Sequence, residues 1–262
     1  MTSYELIKVE SDGHVMTIGI DRGHKANAFD MQVCLELSRA FADYEHDDNA
    51  RVAVLYGIGR NFISGMDLKA LAPHIQQGDP VVAVDGLNPW QVTGRRLSKP
   101  VIAAVHGACF TLGLELVMAC DMVVCTETAR FAQLEPSVGL FPFGGSTVRM
   151  PRVAGWQNAM RWMLTSDVFD AQEAYRMGIV QQVVPDGDHM NVAMEWADKV
   201  ASQAPKAVRA ILSNADSAIR SGVPAAEQDL WLKGYELFGT KDGERGIDWF
   251  MSGGPRPVFT GE

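Results

Sequence analysis

The stretch that decides the fold is residues 99–125, KPVIAAVHGACFTLGLELVMACDMVVC. KPVIAAVHGAC reads as one buried strand, TLGLELVMACD as a buried helix, and MVVCTE as a further strand. A strand, a helix and a second strand in this order predict a crossover between parallel strands. The stretch is almost wholly apolar, yet it carries Glu115 in its middle. A carboxylate in such surroundings shifts its pKa or finds hydrogen-bond donors, so its presence needs an explanation.

Strand and helix patterns continue on both sides. ELIKVE and VMTIGI predict two strands joined by the turn SDGH, NAFDMQVCLELSRAFADYEHD a helix, and RVAVLYGI a buried strand. GRNFISGMDLKALA is a glycine-bearing loop that enters a helix, with Asp67 as its N-cap. Residues 73–90 predict a surface loop because they hold three prolines, and QVTGRRLS predicts a short helix. Helices dominate from about 146 to 181 and again over 189–250, with breaks at Pro205 and Pro224.

Size and charge limit the class of protein. The 262 residues, 47% apolar and 21% charged, suit one domain or a domain with a small appendage. A net charge of −9 argues against a nucleic-acid surface, which needs a basic face, but leaves room for a local basic pocket. His106, Glu115 and Asp121 interrupt the longest apolar tract, so we interpret this tract as core and expect no association with a membrane.

The cysteines and histidines suggest neither a disulfide framework nor a metal site. No CxxC pair or zinc spacing is present, and six scattered histidines do not indicate a metal cluster. His106 follows a buried strand, where an oriented core histidine is a simpler interpretation than a catalytic one. Buried free thiols and a start without a signal-peptide pattern predict a cytoplasmic protein. The four thiols belong to Cys34, Cys109, Cys120 and Cys125.

Two carboxylates in apolar settings are the candidate chemistry. Glu115 lies on the buried helix, and Glu135 lies in ARFAQLEPSVGLFPFGG. Burial raises the pKa of a carboxyl group, which suits proton transfer near neutral pH, and two such groups can handle both protons of one water molecule. The alternative is structural, with each carboxylate bonded to backbone amides or to arginine. Spacing alone leaves both interpretations open.

Two turn-to-helix junctions add a second element. SGMDL and FTLGLEL each place a glycine-bearing turn directly before a helix start. Free N–H groups at helix N-termini attract negative charge, and two of them aimed at one oxygen would form an oxyanion hole. The alternative is two ordinary junctions without a function.

Taken together, these segments resemble the crotonase superfamily, the enoyl-CoA hydratase/isomerase family, over nearly the whole chain. The resemblance implies an α/β fold, a spiral of ββα units whose two sheets are nearly perpendicular. It implies a core over 1–200 that holds the CoA and acyl site, and a helical region over 201–262 that joins homotrimers, often paired into homohexamers. It also implies acyl-CoA thioester substrates and no metal or bound cofactor, because coenzyme A is part of the substrate. The motifs are DRGHKANAF, NFISGMDLKAL, KPVIAAVHGACFTLGLELVMACD, ARFAQLEPSVGLFPFGG and TSDVFDAQEAYRMGIVQQVVP.

The resemblance also implies roles for four residues. The oxyanion amides would be those of Met66 and Leu112, and the catalytic carboxylates would be Glu115 and Glu135. Simple isomerases of the family usually keep only the second carboxylate, so the pair favours a hydratase that converts an α,β-unsaturated acyl-CoA to a 3-hydroxyacyl-CoA. Δ3,Δ2 isomerisation, C–C bond cleavage and dehalogenation are the alternatives. RNA binding, known among some relatives, fits the acidic chain poorly.

For coenzyme A, the resemblance implies contacts along two segments and one aromatic side chain. Lys25 and Lys69 are candidates for the phosphates, with solvated surface lysines as the alternative. Phe250 resembles an aromatic that reaches the CoA site of a neighbouring subunit, with a core contact of the last helix as the alternative. Asp121 and Asp67 match family positions and are interpreted as structural caps or turn residues. The other candidates near the nucleotide are Ala26, Ala28 and the backbone of Asp67 and Leu68.

The chain departs from the family pattern at three places. The loop that is usually glycine-rich reads Thr111-Leu112-Gly113. Phe143 stands where hydratases commonly have a glycine facing the water and the acyl group. The first two departures predict a narrowed or reshaped acyl pocket. At the third, Arg256 is the candidate for a lysine that is expected to meet the CoA phosphates.

Overall fold

The computed structural model describes residues 3–262 and is built on a six-stranded sheet. The predicted hairpin at its edge is confirmed, since the first two strands pair antiparallel around Gly13. The next four strands are parallel, as the strand–helix–strand pattern predicts, in the order β1-β2-β3-β4-β6-β9. The strands are β1 (Ile7–Asp12), β2 (Val15–Ile20), β3 (Val52–Gly57), β4 (Val101–Val105), β6 (Met122–Thr126) and β9 (Gln182–Val184).

A second, three-stranded sheet shows that KPVIAAVHGAC is not one strand, which corrects the sequence interpretation. β4 ends at Val105, and the chain turns at His106–Gly107 before the next strand begins. Gly107 has a φ of 58°, and a Cβ there would overlap the carbonyl of Arg60. The turn therefore requires glycine and moves the chain into the other sheet. This sheet is ordered β5 (Ala108–Phe110), β7 (Arg130–Ala132) and β8 (Phe169–Asp170).

Apolar layers cover both faces of the large sheet, which explains why its central strands are continuously hydrophobic. Ala53 and Leu55 of β3 belong to the larger core cluster, on the face where the first long helix packs. Val52 and Val54 point to the opposite cluster, which includes Ala193, Ala197 and Ala201 of a later helix. The covering helices are α1 (Met31–His46), capped by Asp30, and α7 (His189–Ala201).

Two predictions for the region after Asp67 are wrong. The predicted loop over 73–90 starts too early, because α2 (Leu68–Gln77) continues through Pro73 and closes on Gly78. The buried Leu71 of α2 packs into the core, and this tertiary contact outweighs the cost of proline in a helix. QVTGRRLS forms no helix. Side chains hold this segment instead, as when Ser98 donates to Glu45 from both its N–H and its hydroxyl.

The predicted helical part after residue 146 is confirmed, including both proline breaks. Pro205 and Pro224 lie in the first turns of their helices, where a missing N–H costs little. Many large apolar side chains beyond residue 205 are exposed, and the division at 200 stays a prediction. The short buried helix predicted around Glu115 is α3 (Leu112–Val117). The remaining helices are α4 (Ser146–Ala154), α5 (Trp156–Thr165), α6 (Ala171–Arg176), α8 (Pro205–Ser221), α9 (Val223–Phe238) and α10 (Lys241–Ser252).

The four thiols are free, and Cys34, Cys109 and Cys125 are buried while Cys120 is partly buried. None of the helices formed by residues 3–262 combines the length and the apolar character that a membrane crossing needs. Within the same residues, no group of three or more potential ligand side chains is placed to hold a metal ion. The cytoplasmic location stays a prediction.

Candidate active site

The fold brings the two predicted oxyanion segments side by side. Ile63 forms a bridge with Cys109, and the N–H of Phe110 donates to the Ile63 carbonyl at 3.0 Å. Further along, a Cβ built on Gly65 would lie 2.6 Å from Oγ1 of Thr111. The peptides that follow these two residues, those of Met66 and Leu112, therefore start from neighbouring positions in space.

Both predicted donor groups are free of acceptors. Over residues 3–262, neither the Met66 N–H nor the Leu112 N–H donates to a protein atom. Their neighbours do donate, since Asp67 N–H bonds to Phe29 O at 2.9 Å and Thr111 N–H bonds to Ala132 O at 2.8 Å. Leu112 is the first residue of α3, where an N–H has no partner within the helix. Two unused backbone donors thus lie on adjacent segments.

Glu115 is fully buried, and backbone amides hold its carboxylate. Gly144 N–H donates to Oε2 and Ser146 N–H donates to Oε1, each at 2.9 Å. Burial raises the pKa of Glu115, and these amide hydrogen bonds oppose the rise. The alternative that the sequence left open, a carboxylate bonded to backbone amides, therefore describes the hydrogen bonds of Glu115 correctly. It does not exclude chemistry, because each carboxylate oxygen keeps a further lone pair for a proton.

Glu135 begins a short 3₁₀ turn that follows β7, and it is only 7% exposed. Burial raises the pKa of Glu135 to about 7, and the charge of Glu115 adds to the rise. Gln133 Nε2 donates to Oε2 of Glu135 at 3.2 Å. The carboxyl group of Glu135 is therefore near half-protonated at neutral pH, and it lies close enough to Glu115 to respond to its charge.

Sequence reasoning missed three residues that build this site. Gly144 and Ser146 bind Glu115 through backbone N–H groups, which leave little trace in sequence. Trp90 is buried, and its indole Nε1–H donates to the Leu112 carbonyl at 2.9 Å. Its ring packs edge-on against Phe29 with centroids 5.5 Å apart. The glycine pair in FPFGG was the one visible signal.

The predicted nucleotide segment lies beside the Met66 peptide. Ala26 O accepts from Ser64 N–H at 3.1 Å, and Phe29 N–H donates to Gly65 O at 2.8 Å. Ala26 and Ala28 are partly buried next to this strip, whereas Lys25, Leu68 and Lys69 are exposed. The structure thus places Lys25, Ala26, Ala28, Asp67 and Leu68 at one edge of the site.

The aspartates at family positions have structural partners. Asp67 caps α2 by accepting from Ala70 N–H at 3.3 Å, as predicted, and it also pairs with the buried Arg22 at 3.0 Å. The hydrogen bond from Arg22 lowers the pKa of Asp67. Asp121 accepts from Val101 N–H at 2.8 Å at the start of β4. The prediction of caps and turn residues is confirmed for Asp67 and fits the contact of Asp121.

Phe143 and Phe250 lie in different parts of the structure. Phe143 is 43% exposed on the loop whose next residue binds Glu115. Phe250 is 84% exposed on α10 and lines a groove of about 380 Å³ among α8, α9 and α10. No residue of the Met66–Glu115 site lines that groove, and Phe250 is not a core contact within the single chain. Arg256 donates to Oε1 of Gln203 at 2.7 Å, two residues after the end of α7.

His106 takes an oriented position rather than a place among the carboxylates. One ring nitrogen, Nε2, lies 2.9 Å from Gly59 O, and the ring packs 4.8 Å from that of His189. The contacts agree with an oriented histidine, but His106 is partly exposed and is therefore not a core residue as predicted.

Comparisons with known proteins show which family the chain is similar to. A family described as enoyl-CoA hydratase/isomerase matches residues 10–257. Enoyl-CoA hydratase EchA19 of Mycobacterium tuberculosis is 36% identical over 211 residues, covering 78% of this chain and 77% of that protein. Carnitinyl-CoA dehydratase of Escherichia coli is 35% identical over 212 residues, covering 79% of this chain and 78% of that protein.

Solved structures give the same result for the fold. A probable enoyl-CoA hydratase/isomerase from Mycobacterium abscessus superposes with a TM-score of 0.97 at 49% identity, covering 99% of this chain and 100% of the other. Enoyl-CoA hydratase from Bacillus anthracis superposes with a TM-score of 0.90 at 29% identity, covering 98% and 100%. These superpositions confirm the predicted crotonase fold. The chain belongs to the enoyl-CoA hydratase/isomerase family of the crotonase superfamily.

Proposed function

We propose that the protein is an enoyl-CoA hydratase, which adds water across the C2=C3 bond of an α,β-unsaturated acyl-CoA. One observation carries the proposal. The buried Glu115 lies one helical turn after the free Leu112 amide, and burial together with the charge of Glu115 raises the pKa of Glu135 to about 7. Two coupled carboxyl groups and unused backbone donors are the parts that water addition to a thioester requires.

The proposed steps assign one task to each group. The thioester oxygen accepts hydrogen bonds from the Met66 and Leu112 amides. One water lies between Glu115 and Glu135; Glu115 takes its proton as the water oxygen bonds to C3. The electrons of the C2=C3 bond move toward the thioester as an enolate, and C2 then takes a proton from Glu135. The proton that Glu115 took from water is afterwards returned to Glu135 through solvent, which restores both groups. The product is a 3-hydroxyacyl-CoA.

The protonation states of the pair suit these tasks. Burial raises the pKa of Glu115, but amide hydrogen bonds from Gly144 and Ser146 oppose the rise and favour the ionised form, which the base needs. Glu135, with a pKa of about 7, is available as a proton donor near neutral pH. The enolate charge falls on backbone donors, an effect worth about 3–4 kcal/mol per donor in comparable sites.

The rest of the substrate binds along the edge already described. Lys25, Ala26, Ala28, Asp67 and Leu68 would contact the nucleotide of coenzyme A, and Phe143 would border the acyl group. Because backbone amides supply the charge stabilisation, the reaction as proposed needs no metal and no bound cofactor. We expect the rate to be unchanged after treatment with EDTA and gel filtration.

We also propose that the chain assembles as a homotrimer or homohexamer through its helical region after residue 200. The exposed apolar side chains of α9 and α10, Phe250 among them, support this assembly. In the trimer, Phe250 would reach the CoA site of a neighbouring subunit. Sedimentation equilibrium distinguishes three copies from six, and a monomer would contradict the proposal.

Crotonyl-CoA tests the reaction directly. We expect its conjugated-thioester absorbance to fall on addition of enzyme, and Glu115→Gln and Glu135→Gln each to lower kcat by about 10²–10⁴-fold. Glu127→Gln is the matched control, because Glu127 is exposed. If both site variants keep the wild-type rate, or if no enoyl-CoA is hydrated, the proposal is wrong.

Dehydration is the second candidate, favoured by the similarity to a carnitinyl-CoA dehydratase. The same groups catalyse both directions, so a panel of 3-hydroxyacyl-CoA and enoyl-CoA thioesters identifies the preferred substrate. Turnover of a Δ3-enoyl-CoA without hydration would instead support isomerisation. Tight RNA binding with no turnover of any acyl-CoA would show that the protein binds RNA and is not an enzyme.

A further inference from the structure

Arg149 lies between two loops that bind α3, the loop of Trp90, which bonds to Leu112, and the loop of Gly144, which bonds to Glu115. We propose that Arg149 is a positioning residue, which holds Gly144 against the Glu115 carboxylate and Trp90 against the Leu112 carbonyl. The proposal rests on the hydratase function proposed above, because it assigns Arg149 to the same site. It adds a residue that neither touches the thioester nor exchanges a proton.

The guanidinium of Arg149 joins two backbone carbonyls from distant parts of the chain. Nη1 donates to Gly144 O at 3.0 Å, and Nη2 donates to Trp90 O at 2.6 Å. Arg149 is on α4, whose first residue, Ser146, donates its N–H to Glu115. A planar guanidinium with donors in a fixed fork sets the distance and the angle between the two carbonyls.

These contacts form a closed ring of hydrogen bonds through the site, which we call the circuit. Gly144 receives the bond from Arg149 at its carbonyl and donates its own N–H to Glu115 Oε2 at 2.9 Å. Trp90 receives the second bond at its carbonyl and donates its indole N–H to Leu112 O at 2.9 Å. Leu112 and Glu115 are on one turn of α3, which completes the circuit. A displacement at Arg149 therefore reaches both the carboxylate and the peptide that follows the oxyanion amide.

Packing around the two loop glycines supports the same conclusion independently. A Cβ on Gly144 would lie 2.7 Å from Glu115 Oε2 and 2.8 Å from Trp90 Cδ1. A Cβ on Gly145, whose φ is 111°, would overlap Arg149 Nη1. The circuit is thus closed so tightly that only bare backbone fits between its side chains, which explains the glycine pair.

Arg149 keeps its positive charge although burial lowers its pKa, because an arginine guanidinium is not deprotonated in proteins. Burial and the charge of Arg96 lower the pKa of Arg149, while the negative charge of Glu115 raises it. The charged guanidinium gives both carbonyls charge-assisted hydrogen bonds, which are stronger than neutral ones. A lysine would offer one compact ammonium group and could not fix both carbonyls in one plane.

Loss of the two hydrogen bonds from Arg149 should raise the pKa of Glu115. Without them, the Gly144–Ser146 turn relaxes and its amide bonds to Glu115 lengthen, whereas Glu115 stays buried. The pKa of Glu115 then rises, because burial is no longer opposed by well-placed donors. A base with a higher pKa becomes protonated at higher pH, so the acid limb of the rate profile moves to higher pH.

The experiment compares Arg149→Met and Arg149→Lys with wild type. For crotonyl-CoA we expect Arg149→Met to lower kcat by about 10–100-fold with KM within about threefold. Its acid limb should move up by about half a pH unit or more. Arg149→Lys should show a smaller change in the same direction. Arg152→Met is the matched control, since Arg152 is exposed on the same helix and bonds to none of residues 3–262.

A second readout does not depend on turnover. Carboxyl ¹³C NMR of glutamate-labelled protein follows the titration of Glu115, assigned by comparison with Glu115→Gln, and Arg149→Met should shift it to higher pH. A merely structural role would lower thermal stability and leave both the titration and the acid limb unchanged, which would overturn the proposal. If Arg149→Met does not fold, the same two measurements on Arg149→Lys decide. If the wild type hydrates no enoyl-CoA but the titration shifts, the proposed function fails and the positioning role of Arg149 stands.

Discussion

Gly65 and Thr111 approach so closely that a methyl group on Gly65 would lie 2.6 Å from the hydroxyl oxygen of Thr111. Each residue directly precedes one of the two free amides, those of Met66 and Leu112. The separation of the two donors is therefore set by a contact between their neighbours. Both neighbours have positive φ, 116° at Gly65 and 51° at Thr111.

We expect Gly65→Ala to disturb both stability and turnover. Alanine combines the overlap with Thr111 with an unfavourable φ, so the free energy of unfolding should fall by about 2 kcal/mol or more. The Met66 amide would move with the backbone, and kcat should drop by about tenfold or more. Urea denaturation and crotonyl-CoA kinetics measure the two effects. Gly78→Ala is the control, because Gly78 also has a positive φ, 80°, but nothing lies within 4 Å of its added Cβ.

We expect Thr111→Gly to raise stability. Thr111 has φ 51° and ψ −119°, a conformation of type II′ turns that favours glycine, and its buried hydroxyl has no partner among residues 3–262. Relief of strain should add about 1 kcal/mol to the free energy of unfolding. Thr111→Ala removes the hydroxyl but keeps the strain, so it should gain less. A glycine variant less stable than the alanine variant in urea denaturation would show that the strain is not there.

Glu135 should make stability depend on pH. Its pKa of about 7 in the folded protein exceeds the ordinary value of 4.5, so the folded state binds more protons between these values. Stability is then lost as the pH rises from about 4.5 through about 7. Glu135→Gln should remove this loss and raise the free energy of unfolding at pH 8 by about 1–2 kcal/mol. Equal pH dependence of stability in wild type and variant, measured by urea denaturation, would contradict this.

Phe143 should restrict the acyl chain. Its side chain is on the loop next to Gly144, where it would border the acyl group. Phe143→Ala should therefore lower KM for an eight-carbon enoyl-CoA by about threefold or more relative to crotonyl-CoA. Phe141→Ala is the control, because Phe141 is on the same loop and is 66% exposed. The same change of preference in both variants would exclude a specific role for Phe143.

The parts of the site that local pattern reveals were predictable from the sequence. Glu115 stands out because a carboxylate inside an apolar helix has few explanations, and Asp67 because it precedes a helix. The junction at Met66 follows from a glycine turn before a helix start, whereas at Leu112 the turn residue before α3 is Thr111 and Gly113 lies inside the helix. Each of these signals depends on neighbours within a few residues.

The rest depends on contacts between distant parts of the chain. The bond from Trp90 to Leu112 and the bonds from Gly144 and Ser146 to Glu115 involve backbone atoms, which every residue type carries. The sequence pattern predicts a helix over residues 91–98, but side-chain bonds such as that from Gln91 Nε2 to Ala119 O take the place of helical hydrogen bonds there.

The corner at His106–Gly107 has one more consequence. Because the chain crosses there from one sheet to the other, the start of α3 hangs from the small sheet, while β4, only two residues before β5, is fixed in the large one. We therefore expect the packing between the two sheets to set the position of the Leu112 amide relative to the large sheet. Substitution of apolar residues between the two sheets can then change turnover without changing any group that contacts the substrate.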